Sequence, residues 1–278
     1  SYRERYVRVP RLKYDSNGNL WMTNTGTKDI IKVLKADGTW LPLHYDAIAK
    51  HPTMVEMLFD SRGWLWVTSL QADAGLFCAK MNGTPLDSSD DESKAWLNKF
   101  VNQDGISYDI YQVFALAEDR EGQMWVGTNT GLFVIDNPKT FFNNGVFKQI
   151  KVPRNDGTGL ADYLLSGTYI KSIQVDGANR KWIGTNDDGI YLISADGLET
   201  IHHFTTENSP LPSNSIVSIA INDRSGEVFI GTDKGIASYM SDATRPEEKL
   251  DENNIYVYPN PVKADYSGNI AIVGLTHD

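Results

Sequence analysis

The stretch DREGQMWVGTNTGLFVI, Asp119 to Ile135, decides the fold. Asp119, Gly122 and Trp125 stand at i, i+3 and i+6, and Gly127-Thr128 and Gly131-Leu132 follow. The reading is strand, tight turn, strand, second turn, strand: Gly122 permits the left-handed backbone of the first turn, Trp125 anchors a core, and the glycine-bracketed run 127–131 is a hairpin signal before Leu132–Ile135. The same spacing recurs in Asp15, Gly18, Trp21 and in Asp60, Gly63, Trp66. Two variants follow, Asp176, Asn179, Trp182 and Asp223, Gly226, Phe229; Asn tolerates a positive φ and Phe fills an aromatic slot.

The aromatic anchors fall at 21, 66, 125, 182 and 229, a period of 45 to 59 residues. That spacing suits four-stranded propeller blades with loop insertions, and no 3.6-residue apolar periodicity points to helices. The expected fold is all-β: a β-propeller of five visible repeats over 1–240. Blade edges need closing. In one arrangement Tyr6–Val9 supplies the outer strand of the last blade and five blades form a ring; in the other the repeats belong to a larger ring of about seven, cut at Ser1.

These residues resemble the two-component regulator propeller repeat, and the last copy fits it best: Leu211, Pro212, Ser213, Asn214, Ser215, Ile216, then Asp223, Gly226, Phe229, Ile230, Gly231, Thr232, Gly235 and Ile236. The first two copies lack the Gly before Thr23 and Thr68. Residues 241–254 are polar and mostly charged with one proline, and read as a linker. Beyond it, Tyr258, Pro259, Asn260, Pro261, Val262 and the apolar run Ile270 to Val273 resemble the opening of the C-terminal sorting domains of type IX secretion substrates in Bacteroidetes. Residues 255–278 are too short for such a β-sandwich and are expected to be its truncated start.

The formal net charge of -10 repels nucleic acid and anionic membranes, so nucleic acid is not an expected partner. No apolar run reaches the roughly 18 residues of a membrane span. The chain opens on Ser1 without a signal segment, so an excised or processed fragment is expected. A single cysteine, Cys78, excludes an internal disulfide and any CxxC site, and reads as buried filler.

Asn24, Ser69, Asn129, Asn186 and Asp233 follow each second strand and are the candidate ligand-binding residues, a polar ring suited to a glycan; tight hairpins favour the same residue types. The five repeat aspartates, one per blade, read as turn caps instead of paired carboxylates. His44, His51, His202, His203 and His277 match no metal-site spacing, and His202 and His203 point to opposite faces of a strand. No catalytic residue, metal or cofactor is expected. The repeated Trp anchors read as core, which leaves Trp40, Trp64 and Trp96, wherever exposed, as contact candidates; Asp87–Glu92 reads as a solvated acidic loop.

Propeller repeats joined to a sorting-type tail resemble the propeller component of the type IX secretion attachment complex. That resemblance implies a non-catalytic module of the cell envelope, at the outer-membrane surface or in the periplasm, binding a glycan, lipopolysaccharide or an envelope protein partner. The periplasmic sensor half of a hybrid histidine kinase uses the same repeats, but would continue into a membrane helix. A propeller lyase resembling the streptogramin lyases is the enzymatic alternative; those enzymes require a metal and a histidine base, and their repeat typically has Glu where Asn24 and Ser69 stand here.

Overall fold

The computed structural model describes residues 9–25, 27–48, 53–244, 256–258 and 270–273. The five repeats form five successive antiparallel sheets. Blade 1 comprises Leu12–Tyr14, Leu20–Thr23, Ile31–Leu34 and Trp40–Leu43, and blade 2 Met54–Phe59, Trp64–Ser69, Gly75–Lys80 and Glu92–Leu97. Blade 3 has three strands, Val113–Glu118, Met124–Thr128 and Gly131–Ile135; blade 4 has four, Ile170–Val175, Lys181–Thr185, Ile190–Ile193 and Thr200–Phe204. Blade 5 has Ile216–Asn222, Glu227–Thr232 and Gly235–Met240.

The two longest intervals between anchors hold insertions. Lys99–Asn102 pairs with Ser107–Asp109 and, in parallel, with Val146–Phe147. Between blades 3 and 4 lies the helix Pro138–Asn144, started by Asn137, whose side chain accepts the Thr140 N–H, and ended by Gly145 at φ 67°. Its Phe141 and Phe142 are buried against Trp96. A hairpin of Lys151–Pro153 and Ala161–Tyr163 follows.

Each anchor packs on the blade that comes next. Trp21 meets Phe59 edge-on at 5.0 Å and shares a cluster with Met57, Leu65 and Val67; Trp66 clusters with Leu116, Met124 and Val126. Trp125 clusters with Ile173 and Ile183, and Trp182 with Ile219, Val228 and Ile230. The Gly of Gly-Thr serves the same approach. A Cβ on Gly127 would lie 2.5 Å from the Ile170 methyl of blade 4, and one on Gly184 2.4 Å from the Ile216 methyl of blade 5.

Blade 5 breaks this pattern. The four Trp anchors are 0–1 % exposed, whereas Phe229 is 41 % exposed and Ile236 and Met240 lie open beside it. On blade 1, Leu12 and Tyr14 are exposed too. The face that a following blade would cover and the face that a preceding one would cover are both open, so among the described residues the five blades do not close on themselves. The closing strand expected at Tyr6–Val9 lies, Val9 apart, outside the described residues.

Described residues beyond the expected boundary at 240 still touch blades 4 and 5. Ser241 and Ala243 are buried, the Ser241 N–H donates to the Gly226 carbonyl, and Arg180 reaches the Ser241 hydroxyl at 2.9 Å and Asp242 at 2.8 Å. Residues 245–254 of the expected linker, and Ile255 after them, lie outside the described residues. Beyond them Tyr256–Tyr258 pairs antiparallel with Ala271–Val273. The Pro259–Val262 motif is likewise outside the described residues.

Candidate ligand site in the axial cavity

The repeat aspartates build the frame of the site. In blades 1 to 3 one carboxylate oxygen of Asp15, Asp60 or Asp119 accepts two backbone N–H groups of its own turn, and the other accepts the indole N–H of Trp21, Trp66 or Trp125 at 2.9–3.0 Å. One side chain therefore caps the turn and fixes the anchor rotamer six residues on. Blade 4 departs from this. Asp176 accepts Arg180 Nε at 2.8 Å instead, and the Trp182 indole nitrogen is buried without a hydrogen-bond partner. In blade 5 the cap is Asn222, one residue before Asp223: its side chain accepts the Arg224 N–H and its carbonyl the Gly226 N–H.

Blades 3 and 4 also share a buried charge. Lys181 is fully buried, with Nζ 3.0 Å from Asp119 Oδ2, 2.6 Å from the Ala195 carbonyl and 4.4 Å from the centre of the Trp125 ring. Burial lowers its pKa, against the opposing pull of Asp119.

The first strands of all five blades line one axial cavity of about 480 Å³. Four of them carry a β-bulge at the same level, where register shifts between Met54 and Met57, Val113 and Ala115, Ile170 and Ser172, and Ile216 and Ser218. A bulge leaves one residue unpaired and re-aims its side chain. Here the extra residues of blades 3 to 5 are Phe114, Lys171 and Val217, and all three line the cavity.

The cavity wall carries Arg11, Lys13, Lys171, Glu56 and Glu118. Glu56 is paired with Arg11 at 3.1 Å, and Glu118 is held by Arg62 and by the Ser61 backbone and hydroxyl. Among the described residues Lys171 has no carboxylate partner; its ammonium lies 4.1 Å from the Phe114 ring centre and 5.5 Å from that of Tyr169. Burial pushes its pKa down.

The candidate residues read from the sequence occupy two different registers. The backbone N–H groups of Asn129, Asn186 and Asp233 donate to the carbonyls of Gln112, Tyr169 and Ser215, two residues ahead of the bulged Phe114, Lys171 and Val217. In blade 2 that bond comes from Leu70, to Thr53; Ser69 instead matches Thr128, Thr185 and Thr232, whose hydroxyls close the hairpin on a glycine carbonyl. The assumed equivalence of the five positions thus fails: Asn24 and Ser69 stand three residues after their anchors, and Asn129, Asn186 and Asp233 four after theirs. Asn24 keeps a buried, unpartnered Oδ1. The Asn129 side chain accepts the N–H groups of Tyr111 and Gln112, which pins the chain where it turns into the innermost strand. None of the five lines the cavity itself.

His203 stacks on Tyr191 at 3.9 Å while His202 meets Tyr239 and Phe204 between blades 4 and 5, so the pair does face opposite ways. His51 and His277 lie outside the described residues. Trp64 and Trp96 are drawn into the aromatic cluster around Trp66, and only Trp40, at 58 %, stands open. Among the described residues no group of three His, Cys, Asp or Glu is placed to hold a metal ion. No helix among them is long and apolar enough to cross a membrane.

The fold is that of a β-propeller, and residues 107–130 match the two component regulator propeller family. The chain is similar to PorZ of Porphyromonas gingivalis, an essential surface component of its type-IX secretion system, with 29% identity and a TM-score of 0.76 over 97% of this chain and 36% of that one. It thus spans about a third of the length of that relative. The extracellular domain of BT3049 from B. thetaiotaomicron shares 21% identity at a TM-score of 0.59, covering 88% of this chain and 29% of that one. That of BT4673 shares 16% at 0.55, covering 87% and 28%; both likenesses are of fold alone. No curated protein matches the sequence.

Proposed function

We propose that this chain is a non-catalytic ligand-binding or scaffold propeller of a bacterial cell envelope, working in type IX secretion. The observation that carries the reading is the 29% identity to PorZ over nearly the whole chain. On this reading residues 1–244 are propeller and 255–278 open a separate β domain of the sorting type, joined by the charged segment between. A ring larger than five blades is part of the proposal, because Phe229 and its neighbours present to solvent the face that every other blade buries.

The chemistry of the candidate bases supports a binding role. His202 and His203 are committed to contacts within and between blades, and the repeat aspartates to their turns. The partner is a glycan, lipopolysaccharide or an envelope protein. Its site is the axial cavity and its rim, where Asn129, Asn186 and Asp233 brace the chain entering the bulges. A glycan array together with affinity capture from envelope extracts, both on the intact protein, tests this. Selective retention of a glycan or of a secretion component is expected; background signal in both assays would overturn it.

A further inference from the structure

The rim formed by the aspartate turns is stitched from blade to blade by arginines. Arg62 of blade 2, shared between Asp60 and Glu118, also donates to the Gly122 carbonyl in the turn of blade 3. Arg120 of blade 3 donates through Nε to the Asp176 carbonyl in the turn of blade 4, and through its backbone N–H to the Asn179 side chain. Arg180 of blade 4 reaches a different target. Its two Nη groups hold the Ser241 hydroxyl at 2.9 Å and Asp242 at 2.8 Å, in the segment that follows the last strand of blade 5. That segment lies tightly over the turn of blade 5. The Ser241 N–H donates to the Gly226 carbonyl at 3.2 Å, and a Cβ on Gly226 would stand 2.9 Å from the Ala243 carbonyl oxygen and 3.0 Å from that of Ser241.

The hold has a cost inside blade 4. In blades 1 to 3 the second carboxylate oxygen of the turn aspartate takes the indole N–H of its own anchor. Asp176 gives that oxygen to Arg180 Nε instead, and the Trp182 indole nitrogen stays buried without a partner, an unfavourable state for a donor. The repeat itself does not call for a cation here. The matching positions of blades 1 to 3 are Asn19, Trp64 and Gln123, and the Asp15 carboxylate accepts from neutral donors. We propose that Arg180 is the exit clamp of the propeller. It is a positioning residue that forgoes the indole bond of its blade to fix the path of the chain at 241–242, and with it the point from which the charged segment 245–254 departs. The aspartate turns lie at the opposite end of the innermost strands from the bulges, so the clamp delivers that segment away from the bulged end of the cavity. Its action is independent of any ligand on the axis.

Hydrogen–deuterium exchange of the 278-residue chain and of two variants tests this. Arg180→Gln installs the residue type that blade 3 carries at Gln123; Asp242→Ala removes one arm of the clamp and leaves the Arg180–Asp176 pair intact. The amides of 241–244 should exchange about tenfold faster in Arg180→Gln, which loses hydrogen bonds to a charged group. They should exchange about threefold faster in Asp242→Ala, where the lost pair is largely solvent-exposed on the Asp242 side, with the amides of 181–185 at parent rates. Freed of Arg180, Asp176 can accept the Trp182 indole. In Arg180→Gln the indole nitrogen–proton resonance of Trp182, assigned by its loss in Trp182→Phe, should therefore shift and its solvent exchange slow. An arginine that merely supported blade 4 would loosen the whole blade and leave the indole without its bond. Unchanged exchange at 241–244 in either variant, a rise in Asp242→Ala that extends equally over 181–185, or an unmoved Trp182 resonance in Arg180→Gln would overturn the proposal. Should Arg180→Gln fail to fold, Asp242→Ala decides it by the first two readouts.

Discussion

Removing the Asp119 carboxylate should destabilise the propeller more than removing its counterpart in blade 1, because only Asp119 holds a second blade's buried cation. Asp15→Ala frees two turn N–H groups, the Asn19 amide and the Trp21 indole N–H, all of them neutral. Asp119→Ala frees the Glu121 and Gln123 N–H groups and the Trp125 indole, and also strips the fully buried Lys181 of its counter-ion. An uncompensated buried charge costs about 3–5 kcal/mol, against about 1–3 kcal/mol for an unsatisfied neutral group. The variant should therefore fall below Asp15→Ala by about 2 kcal/mol or more in urea denaturation. Lys181→Met places in blade 4 the residue type that blade 3 carries at Met124, and Asp119→Ala combined with Lys181→Met should recover most of that difference, since replacing both charges with apolar groups removes the desolvation cost. Asp119→Ala no worse than Asp15→Ala, or a double variant no more stable than Asp119→Ala alone, would refute the reasoning.

Three further outcomes follow from the packing. Gly127→Ala and Gly184→Ala, which drive a methyl into Ile170 and Ile216 of the next blade, should each cost about 1–3 kcal/mol in chemical denaturation, while Gly231→Ala, which meets only the Ser218 hydroxyl, should cost under about 1 kcal/mol. Trp182→Ala should cost about 3–5 kcal/mol and Phe229→Ala in this chain under about 1.5 kcal/mol; equal losses would mean that blade 5 is already covered. Burial holds the Asp91 carboxyl above its ordinary pKa, the Tyr45 hydrogen bond opposing, so its protonated form favours the fold and stability is lost as pH rises through the folded pKa. Asp91→Asn keeps an acceptor for Tyr45 and should melt higher than the parent at pH 7, with the gap closing below pH 4; a gap that persists there contradicts this.

The architecture was legible because one phrase carries several constraints at once. Asp at i must cap a turn and reach the indole at i+6, and Gly or Asn at i+3 must take a positive φ, as Gly122 does at 77° and Asn179 at 60°. Few other folds repeat such a phrase every 45 to 59 residues. The axial site was not read, although its signal is present: Met54 and Met57, Val113 and Leu116, Ile170 and Ile173, Ile216 and Ile219 are buried pairs three apart inside strands, where an unbroken pleat would space them by two. Asn24 and Ser69 misled because the Thr before each stands two residues after its anchor, at Thr23 and Thr68, whereas Thr128, Thr185 and Thr232 stand three after theirs. Lys181 and the blade-5 cap at Asn222 were invisible for a different reason: both depend on contacts with a neighbouring blade or on a turn one residue longer, neither of which spacing within a single copy records.

The most direct test of the account is hydrogen–deuterium exchange of the chain with and without lipopolysaccharide, read peptide by peptide. Protection is predicted on the innermost strands at 113–118, 170–175 and 216–222, strongest across the bulge at Lys171, with the outer strand at 200–204 unchanged. Protection confined to outer strands or to the exposed face around Phe229, with Ile170–Val175 unaltered, would contradict the claim that this propeller binds its ligand along its axis.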